Sequence, residues 1–329
     1  MAVRVEEGGY MRVKTLTASY LLDWILGDPE FLPHPVRLIG KTIAAGERTL
    51  RRPGSGPAVE FIGGLVLTGG IVAGSAVATS RLLSALHRHS RSSARFVEIY
   101  LTASCLATRN LLDEASSVLQ ALEEADFERA RMRLSRIVGR DTAGLDAGEI
   151  ARAVIETLAE SLCDGVIAPL TYLVIGGVPM AMAYKAVNTL DSMIGHRDED
   201  YEWFGKAAAR LDDAANVLPA RIAALLVCGA CTFFEPGNTR SAFRTWRLDG
   251  RKHASPNAGQ AESAMAGALR VQLGGVNTYD GECVETAFLG SGFPGPEVHH
   301  VRKALRITAL ASVLGFAVGC LMLSGRRHG

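Results

Sequence analysis

The chain has 329 residues, with 35 lysines and arginines against 34 aspartates and glutamates, so its formal net charge is +1 at pH 7. Hydrophobic residues make up 48% of the chain and aromatic residues 6%. Because a nucleic-acid surface needs excess positive charge and interleaved aromatic side chains, we expect no nucleic-acid partner. The six cysteines are scattered, which favours free thiols in a reducing compartment, and the N-terminus lacks the pattern of a secretory signal.

A proline-rich segment near the N-terminus, DWILGDPEFLPHPVRLIGK (23–41), is the first feature in chain order. Its three prolines within seven residues predict a stiff, extended loop rather than a regular helix. Asp28, His34 and Arg37 lie on this loop. Two interpretations stay open: a rigid connector between helices, or a preorganised loop that binds substrate or phosphate.

Three charge-free segments are long enough to cross the ~30 Å hydrocarbon core of a bilayer as helices. We predict spans at 61–80, 165–184 and 307–325, and less certain ones at 99–108 and 217–234. The small residues of the first segment favour close helix packing in lipid. The basic end of the chain, Arg326 to His328, predicts a cytoplasmic C-terminus for a multi-pass protein of the cell (inner) membrane.

The rest of the pattern is mainly helical. Apolar residues recur at helical spacing between residues 109 and 138, which predicts two amphipathic helices joined near 123–126. The glycines of residues 273–281 predict a flexible loop. The expected fold is therefore all-α: a multi-pass membrane protein with amphipathic or interfacial helices and a polar lobe on the soluble side. We expect the whole chain, residues 1–329, to form one membrane domain.

An acidic stripe is formed by four carboxylates spaced seven, four and four residues apart: Glu149, Glu156, Glu160 and Asp164. This spacing places them on one face of a helix. Since like charges one turn apart repel, a bound cation or a cationic partner is the natural remedy. The preceding motif GRDT (139–142) either contributes Arg140 to a site or caps the helix through Asp141 or Thr142.

Two further polar clusters adjoin apolar segments. The first follows residue 184 at spacings of three: Lys185, Asn188 and Asp191. The second precedes residue 217: Arg210, Asp212, Asp213 and Asn216. Repeated polar clusters beside apolar segments favour functional sites over solvated helix ends. A straight helix would hold Asp164 and Lys185 ~30 Å apart, so they can share a site only if the segment bends, which Gly176–Gly177 and Pro179 permit.

The segment HASPNAGQAE (253–262) predicts a helix start, with Ser255 as the N-cap and Pro256 at the first helical position. Such a start exposes backbone amides, and basic residues lie just upstream, so we predict that Lys252, Ser255 and Asn257 bind a phosphate. An ordinary capped helix is the alternative. The sequence contains neither a Walker A nor a GxGxxG motif, so a nucleotide would be held by other means.

Long blocks of the sequence, in order and over nearly the whole chain, resemble the CobD/CbiB family, the membrane-bound adenosylcobinamide-phosphate synthases of cobalamin biosynthesis. The blocks are DWILGDPEFLPHPVRLIG, VGRDT, AESLCDGVIAPLTYLVIGGVP, AYKAVNTLDSMIG, FGKAAARLDDAANVLPARIAALL and HASPNAGQAESAMAGAL. The resemblance implies an ATP-dependent ligation. A propionate carboxylate of adenosylcobyric acid is joined to (R)-1-amino-2-propanol or its O-phosphate, which gives adenosylcobinamide or its phosphate.

The resemblance also implies ATP as co-substrate, Mg²⁺, and a corrinoid substrate whose bulk suits a pocket at the membrane interface. Combined with the patterns above, it assigns three sets of residues. The expected catalytic residues are Arg140, Glu156, Glu160 and Lys185. The expected Mg²⁺ ligands are Glu160, Asp164, Asp191, Asp212 and Asp213. The expected substrate- or phosphate-binding residues are Asp28, His34, Arg37, Asn188, Arg210, Lys252, Ser255 and Asn257.

The expected partners are these small molecules, membrane lipid, and either other late cobalamin-pathway enzymes or a second copy of the chain. Two other function classes stay open. One is a membrane transferase that uses a metal-bound diphosphate substrate, although DGVIAP (164–169) lacks the arginine of the DGxxAR signature. The other is a transporter with buried carboxylates, which would make no ATP-dependent product.

Overall fold

The computed structural model describes residues 11–28, 34–195 and 200–325. The helices are α1 (Val13–Leu26), α2 (Pro35–Leu50), α3 (Pro57–His89), α4 (Arg91–Ala103), α5 (Thr108–Glu123), α6 (Phe127–Leu134), α7 (Ala147–Leu162), α8 (Ala168–Ile194), α9 (Lys206–Ala215), α10 (Val217–Phe234), α11 (Thr239–Asp249), α12 (Ala258–Leu269) and α13 (Val298–Gly325). Two strands, β1 (Leu273–Tyr279) and β2 (Glu282–Leu289), form an antiparallel hairpin. The predicted helical membrane fold is confirmed, with the hairpin as its one addition among the described residues.

The chain divides into two compact units. The first unit contains Met1–Leu106, Ala168–Ala215 and Phe316–Gly329, and the second contains Ala107–Ile167 and Asn216–Gly315. Each has apolar side chains that are fully buried: Leu16, Ile43 and Leu173 in the first unit, and Leu134, Ile150 and Leu158 in the second. The single membrane domain expected over residues 1–329 stays a prediction.

Four helical segments are long and apolar enough to cross a membrane: α3, the α7–α8 segment Ala147–Ile194, α10 and α13. They contain the predicted spans 61–80, 165–184, 217–234 and 307–325. In α3 only 17% of the most apolar window is buried, against 67% in the α7–α8 segment. An apolar helix surface left open to the outside is the surface that lipid covers. The protein is therefore a multi-pass membrane protein, while residues 326–329, on which the C-terminal orientation was predicted, lie outside the described residues.

The predicted span at 165–184 is not one regular helix. A wide π turn, Cys163–Ile167, joins α7 to α8. Within α8, Gly176 and Gly177 leave the helical conformation, and Gly177 has a φ of 67° that favours glycine. Pro179 has no N–H to donate to the preceding turn. The interruption of α8 therefore lies at the glycines and the proline that were predicted to permit a bend.

The span considered at 99–108 is wrong, because α4 ends at Ala103 and α5 begins at Thr108. The Ser104 hydroxyl donates to the carbonyl of Leu101 at 2.9 Å in this connection. Cys105 and Leu106 are 1% and 5% exposed, so the run is free of charge because it is buried in protein. Burial in protein and contact with lipid both favour apolar residues. Only the length of the apolar run distinguishes a buried segment from a membrane span.

The two amphipathic helices predicted between residues 109 and 138 are confirmed as α5 and α6, which belong to the second unit. Asp126 begins α6 by accepting a 3.0 Å hydrogen bond from the Arg129 amide. The apolar faces of both helices pack against α7, with Leu119 and Leu134 buried. This packing fixes the position of the helix that carries the first half of the acidic stripe.

The flexible loop predicted over residues 273–281 is wrong, since these residues form β1 and the hairpin turn. Asp280 and Gly281 connect the strands with φ angles of 49° and 81°. Positive φ at both central positions is the geometry of a two-residue hairpin turn, which Asp-Gly prefers. The hairpin gives the second unit a rigid edge beside the GRDT motif.

Candidate functional site

The GRDT motif anchors the hairpin and does not cap α7. The Asp141 amide donates to the Thr278 carbonyl at 2.8 Å, and the Asp141 carboxylate accepts from the Gly281 amide at 2.9 Å. The cap of α7 is Asp146, which accepts from the Glu149 amide while the Glu149 carboxylate accepts from the Asp146 amide, both at 2.8 Å. The predicted cap at Asp141 or Thr142 is therefore wrong, and Glu149 serves a reciprocal capping box.

Glu156 is buried and fully engaged. One carboxylate oxygen accepts from the Arg140 guanidinium at 2.7 Å, and the other accepts from the Gly274 amide at 2.8 Å. Arg152, one turn earlier on α7, lies 3.6 Å from the same carboxylate. Arg140 donates a second bond to the Asn277 side chain at 2.8 Å. Arg140 and Glu156, both predicted to be catalytic, thus form a buried ion pair that ties α7 to β1.

Glu160 and Asp164 complete the stripe in different surroundings. The Glu160 side chain is exposed at the end of α7, while Asp164 is half-buried within the π turn. A π turn takes more residues than an α turn, so Asp164 does not stack directly above Glu160 as a regular helix would place it. The predicted single acidic face is therefore divided: one cap, one buried ion pair and two more accessible carboxylates.

Glu262 of α12 is a buried carboxyl that the sequence patterns did not single out. Its side chain lies in the second unit, only 5% exposed, among helix residues that are buried on every side. Burial raises the pKa of the Glu262 carboxyl well above its usual range, and Glu156 and Glu160 raise it further, while Arg140 lowers it. Within the part of the chain that the structure describes, Glu262 makes no ion pair. The sequence feature that could have identified it is a single glutamate in a run of small, otherwise uncharged residues.

The start of α12 is displaced from its predicted position. The helix begins at Ala258 and not at Pro256, and its N-cap is Asn257. The Ser255 hydroxyl still accepts from the amides of Asn257 and Ala258 at 3.3 Å, and the Asn257 side chain accepts from Arg221 at 3.1 Å. Asn257 is 6% exposed. These contacts occupy groups that were expected to receive phosphate, whose binding here stays a prediction.

His253 precedes this helix start in the second unit. Its ring nitrogen accepts from the Ser255 amide at 3.0 Å. Burial lowers the pKa of His253, while its hydrogen bond with the Ser255 backbone and the charge of Glu156 oppose the shift. The half-buried His253 ring therefore lies close enough to Glu156 to feel its charge.

In the first unit the structure brings together residues of the proline-rich segment. Asp28 lies 3.5 Å from the His34 ring and 3.7 Å from the Arg37 guanidinium. Burial lowers the pKa of His34; Asp28 raises it, and the positive charges of Arg37 and Lys185 lower it further. Four predicted site residues thus share one neighbourhood. Pro35 begins α2, so the prediction that Arg37 lies on an extended loop is wrong, while residues 29–33 lie outside the described residues.

The other first-unit residues lie on α8 and α9. Lys185, Asn188 and Asp191 are half-buried on α8. On α9, Arg210 lies 3.9 Å from Asp213, with side chains 73% and 23% exposed, and Asp212 is half-buried beside them in sequence. Because Glu160 and Asp164 belong to the second unit, the site that they were expected to share with Lys185 stays a prediction.

The described residues contain no group of three or more His, Cys, Asp or Glu side chains that could hold a metal ion. A metal cage made only of protein ligands therefore does not fit this part of the chain. Mg²⁺ usually keeps several waters and is held by one or two carboxylates together with substrate phosphates. Both oxygens of the Glu156 carboxylate are hydrogen-bonded within the protein, so Glu156 does not fit that arrangement; for Glu160, which is exposed, and Asp164, which is half-buried, the Mg²⁺ assignment stays a prediction.

The model of the family described as CobD/Cbib protein matches residues 16–308. The cobalamin biosynthesis protein CbiB of Salmonella typhi is 41% identical over 311 residues, which cover 94% of this chain and 96% of that protein. The cobalamin biosynthesis protein CobD of Geobacter metallireducens is 48% identical over 272 residues, which cover 83% and 84%. The CobD of Citrobacter koseri is 40% identical over 317 residues, which cover 95% and 99%. No solved structure matches the chain.

A family match over most of the chain, with this level of identity, is far more specific than any single motif. It agrees with the blocks of sequence that carried the resemblance, from the proline-rich segment to α12. The protein has a role in cobalamin biosynthesis, and the chain belongs to the CobD/CbiB family.

Proposed function

We propose that the protein is an adenosylcobinamide-phosphate synthase, an ATP-dependent ligase that forms an amide. It joins a propionate carboxylate of adenosylcobyric acid to (R)-1-amino-2-propanol or its O-phosphate. The observation that carries the proposal is the family match over residues 16–308, with relatives named for cobalamin biosynthesis. The paired arginines and carboxylates of the second unit support it, because amide ligation needs both charge neutralisation and a proton acceptor.

A free carboxylate does not react with an amine until its oxygen becomes a leaving group. In the proposed reaction, a propionate oxygen attacks the γ-phosphorus of ATP, the bond to ADP breaks, and an acyl phosphate forms. The amine nitrogen then attacks the acyl carbon, the carbon–oxygen bond to phosphate breaks, and the nitrogen loses a proton. The products are the amide, ADP and phosphate.

In this proposal Glu262 accepts the proton that the nitrogen loses. A buried carboxylate with a raised pKa holds a proton more tightly than an ordinary glutamate, which makes it a stronger general base once it is ionised. Arg140 stays paired with Glu156 and contributes positive charge close to Glu262. Glu156 acts as the residue that positions Arg140, not as a metal ligand.

Mg²⁺, when bound, would neutralise the phosphates of ATP. Glu160 and Asp164 are its proposed ligands in the second unit, and Asp191, Asp212 and Asp213 remain proposed ligands in the first. Arg37 and Lys185, which both act on His34, are proposed to neutralise substrate phosphate. Asp28 and His34 are proposed to orient Arg37, and Asn188 and Arg210 to contact substrate.

At the start of α12, Lys252 is proposed to contact a substrate phosphate directly. Ser255 and Asn257 are proposed to shape the site, because their polar groups are engaged by backbone amides and by Arg221. The protein is proposed to lie in the cell (inner) membrane with a cytoplasmic C-terminus. Late cobalamin-pathway enzymes or a second copy of the chain are its proposed protein partners.

The test is a reconstituted assay. Protein purified in detergent is incubated with adenosylcobyric acid, Mg²⁺-ATP, and aminopropanol with or without its phosphate, and the corrinoid product is identified by mass spectrometry. Adenosylcobyric acid labelled with ¹⁸O in the propionate should transfer one ¹⁸O to the released phosphate. ATP-dependent product without that transfer would exclude the acyl phosphate, and absence of ATP-dependent product with either amine would contradict the ligase.

A further inference from the structure

A basic pocket of about 510 Å³ lies in the second unit, between α11, the end of α12 and the loop that follows β2. Four cationic side chains line it: Arg240, Arg244, Lys252 and Arg270. Asp249 is the one carboxylate in the lining. The pocket is separate from the buried carboxyl groups described above and shares only Lys252 with the proposed phosphate contact at α12.

The positive charge of this basic pocket is not balanced by the protein. The Asp249 carboxylate is already engaged, by Lys252 at 2.6 Å and by the Gly290 amide at 2.8 Å. Among residues 11–28, 34–195 and 200–325, no carboxylate forms an ion pair with Arg240, Arg244 or Arg270. Arg240 and Arg244 are one turn apart on α11, where like charges repel each other. An anion from outside would relieve this repulsion.

The walls of the basic pocket are held in place by close packing. A Cβ on Gly267 of α12 would lie 2.6 Å from the Ser241 carbonyl oxygen and 2.8 Å from the Thr245 Cβ, so α11 and α12 approach each other closely there. Gly290 has a φ of 73°, which allows its amide to reach Asp249. The part of α11 that carries the two arginines is therefore held at a fixed distance from α12.

Arg270 occupies a position where glycine is the ordinary residue. It ends α12 in the left-handed conformation, with a φ of 55° and a ψ of 48°. An L-residue in this conformation is strained by its Cβ, a cost that glycine avoids. Its guanidinium lies 5.6 Å from the centre of the Phe293 ring, a cation–π contact that orients it at the pocket wall. The arginine is thus positioned in the pocket despite its backbone cost.

We propose that the basic pocket binds a phosphate group. Guanidinium groups match phosphate oxygens with paired hydrogen bonds, and several cations around one cavity suit a group that carries more than one negative charge. The volume also admits the part of the ligand that bears the phosphate, against the apolar surfaces of Leu248 and Phe293. The phosphate belongs either to a soluble phosphoester or to the headgroup of an anionic phospholipid.

The two sources can be separated in solution. In one arm, isothermal titration calorimetry in an uncharged detergent at low ionic strength measures the binding of inorganic phosphate and of glycerol 3-phosphate. In the other arm, native mass spectrometry measures the retention of dioleoylphosphatidylglycerol against dioleoylphosphatidylcholine. Binding in the first arm identifies a soluble phosphoester, and selective retention in the second identifies a lipid headgroup.

The variants are Arg240→Gln with Arg244→Gln, and the matched control Arg247→Gln. Arg247 is exposed on the same helix but does not line the pocket. Loss of two guanidinium contacts should weaken binding at least about tenfold in the arm that shows it. The control should bind within about twofold of the wild type. Absence of binding in both arms, or an equal loss in the control, would overturn the proposal, and neither result depends on ligase activity.

Discussion

Two helices of the second unit, α7 and α12, each bury a glutamate, and the two carboxylates have opposite surroundings. Glu156 of α7 is bonded to a guanidinium and to a backbone amide, with a second arginine one turn away. Glu262 of α12 is at least as buried, but burial and then the neighbouring carboxylates raise its pKa, and it has no ion pair among the described residues. Removing one partner of a buried ion pair destabilises the fold. A buried carboxyl without an ion pair lowers stability by its presence, so we expect it to be retained for function. The contrast predicts that the two glutamates respond to mutation with opposite signs.

The largest expected effect is on folding. Glu156→Gln leaves the buried Arg140 without its counter-charge, and breaking one side of a buried ion pair costs about 3–5 kcal/mol. Thermal unfolding in detergent should show a strongly lowered Tm. Glu160→Gln, one turn later and exposed, is the matched control and should change stability by less than about 0.5 kcal/mol. Equal Tm values for the two variants would show that the Arg140–Glu156 pair does not hold α7 to β1.

The next effect is on catalysis. Glu262→Gln keeps the shape of the side chain but cannot accept a proton, so the rate of amide formation should fall by about 10²–10⁴. Because the amide is uncharged, the variant should fold at least as well as the wild type. Single-turnover ligation and a thermal scan measure the two properties on one sample. Turnover near that of the wild type would remove Glu262 from the proposed chemistry.

A smaller loss, about a hundredfold, is expected for Glu160→Gln if its carboxylate helps to hold Mg²⁺ with ATP. A metal ligand should show itself in a higher Mg²⁺ concentration for half-maximal rate. Glu149→Gln tests another carboxylate of the acidic stripe, whose contacts belong to the helix cap, and its Mg²⁺ dependence should match the wild type. An unchanged Mg²⁺ dependence in Glu160→Gln would contradict the assignment.

The smallest expected effect concerns pH and the first unit. His34 has a lowered pKa, since burial, Arg37 and Lys185 disfavour its charged form more than Asp28 favours it. The unfolded chain therefore takes up a proton first as pH falls below about 6.5, and stability is lost in the acid direction. His34→Gln should flatten this part of the Tm profile between pH 7.5 and about 5.5. A profile as steep as that of the wild type would contradict the shift.

The sequence predicted the long apolar helices α3 and α13 well, because their spans are identified by length and absence of charge alone, whereas Arg221 within α10 made that span less certain. The prediction failed at residues 99–108, because a charge-free run can lie either in lipid or in the protein interior. Here it forms the buried connection between α4 and α5. The hairpin could have been predicted from Asp280–Gly281, a pair that favours its turn. Instead, the glycines of residues 273–281 led to the prediction of a flexible loop.

For the candidate site, helical spacing identified the stripe but could not identify its partners. Asn277, which fixes Arg140, is 137 residues away in the chain, and the Gly274 amide that binds Glu156 is 118 residues away. Such contacts depend on tertiary packing, which a local pattern does not contain. Glu262 was missed because α12 is buried all round, so it has no polar face from which periodicity could single out one residue.

The most direct test of the account is the pH dependence of the wild type against Glu262→Gln. An unfolded glutamate ionises near pH 4.5, whereas the raised pKa makes the folded protein resist ionisation, so the contribution of Glu262 to stability should fall as pH rises. Over the range in which Glu262 loses its proton, the ligation rate should rise. The account predicts that the Tm of the wild type falls relative to that of Glu262→Gln as pH rises, while the wild-type rate rises and the variant loses the acidic limb of its rate. If the variant keeps that acidic limb, and its Tm stays parallel to that of the wild type, Glu262 is neither the proton acceptor nor a carboxyl whose pKa is raised by the fold.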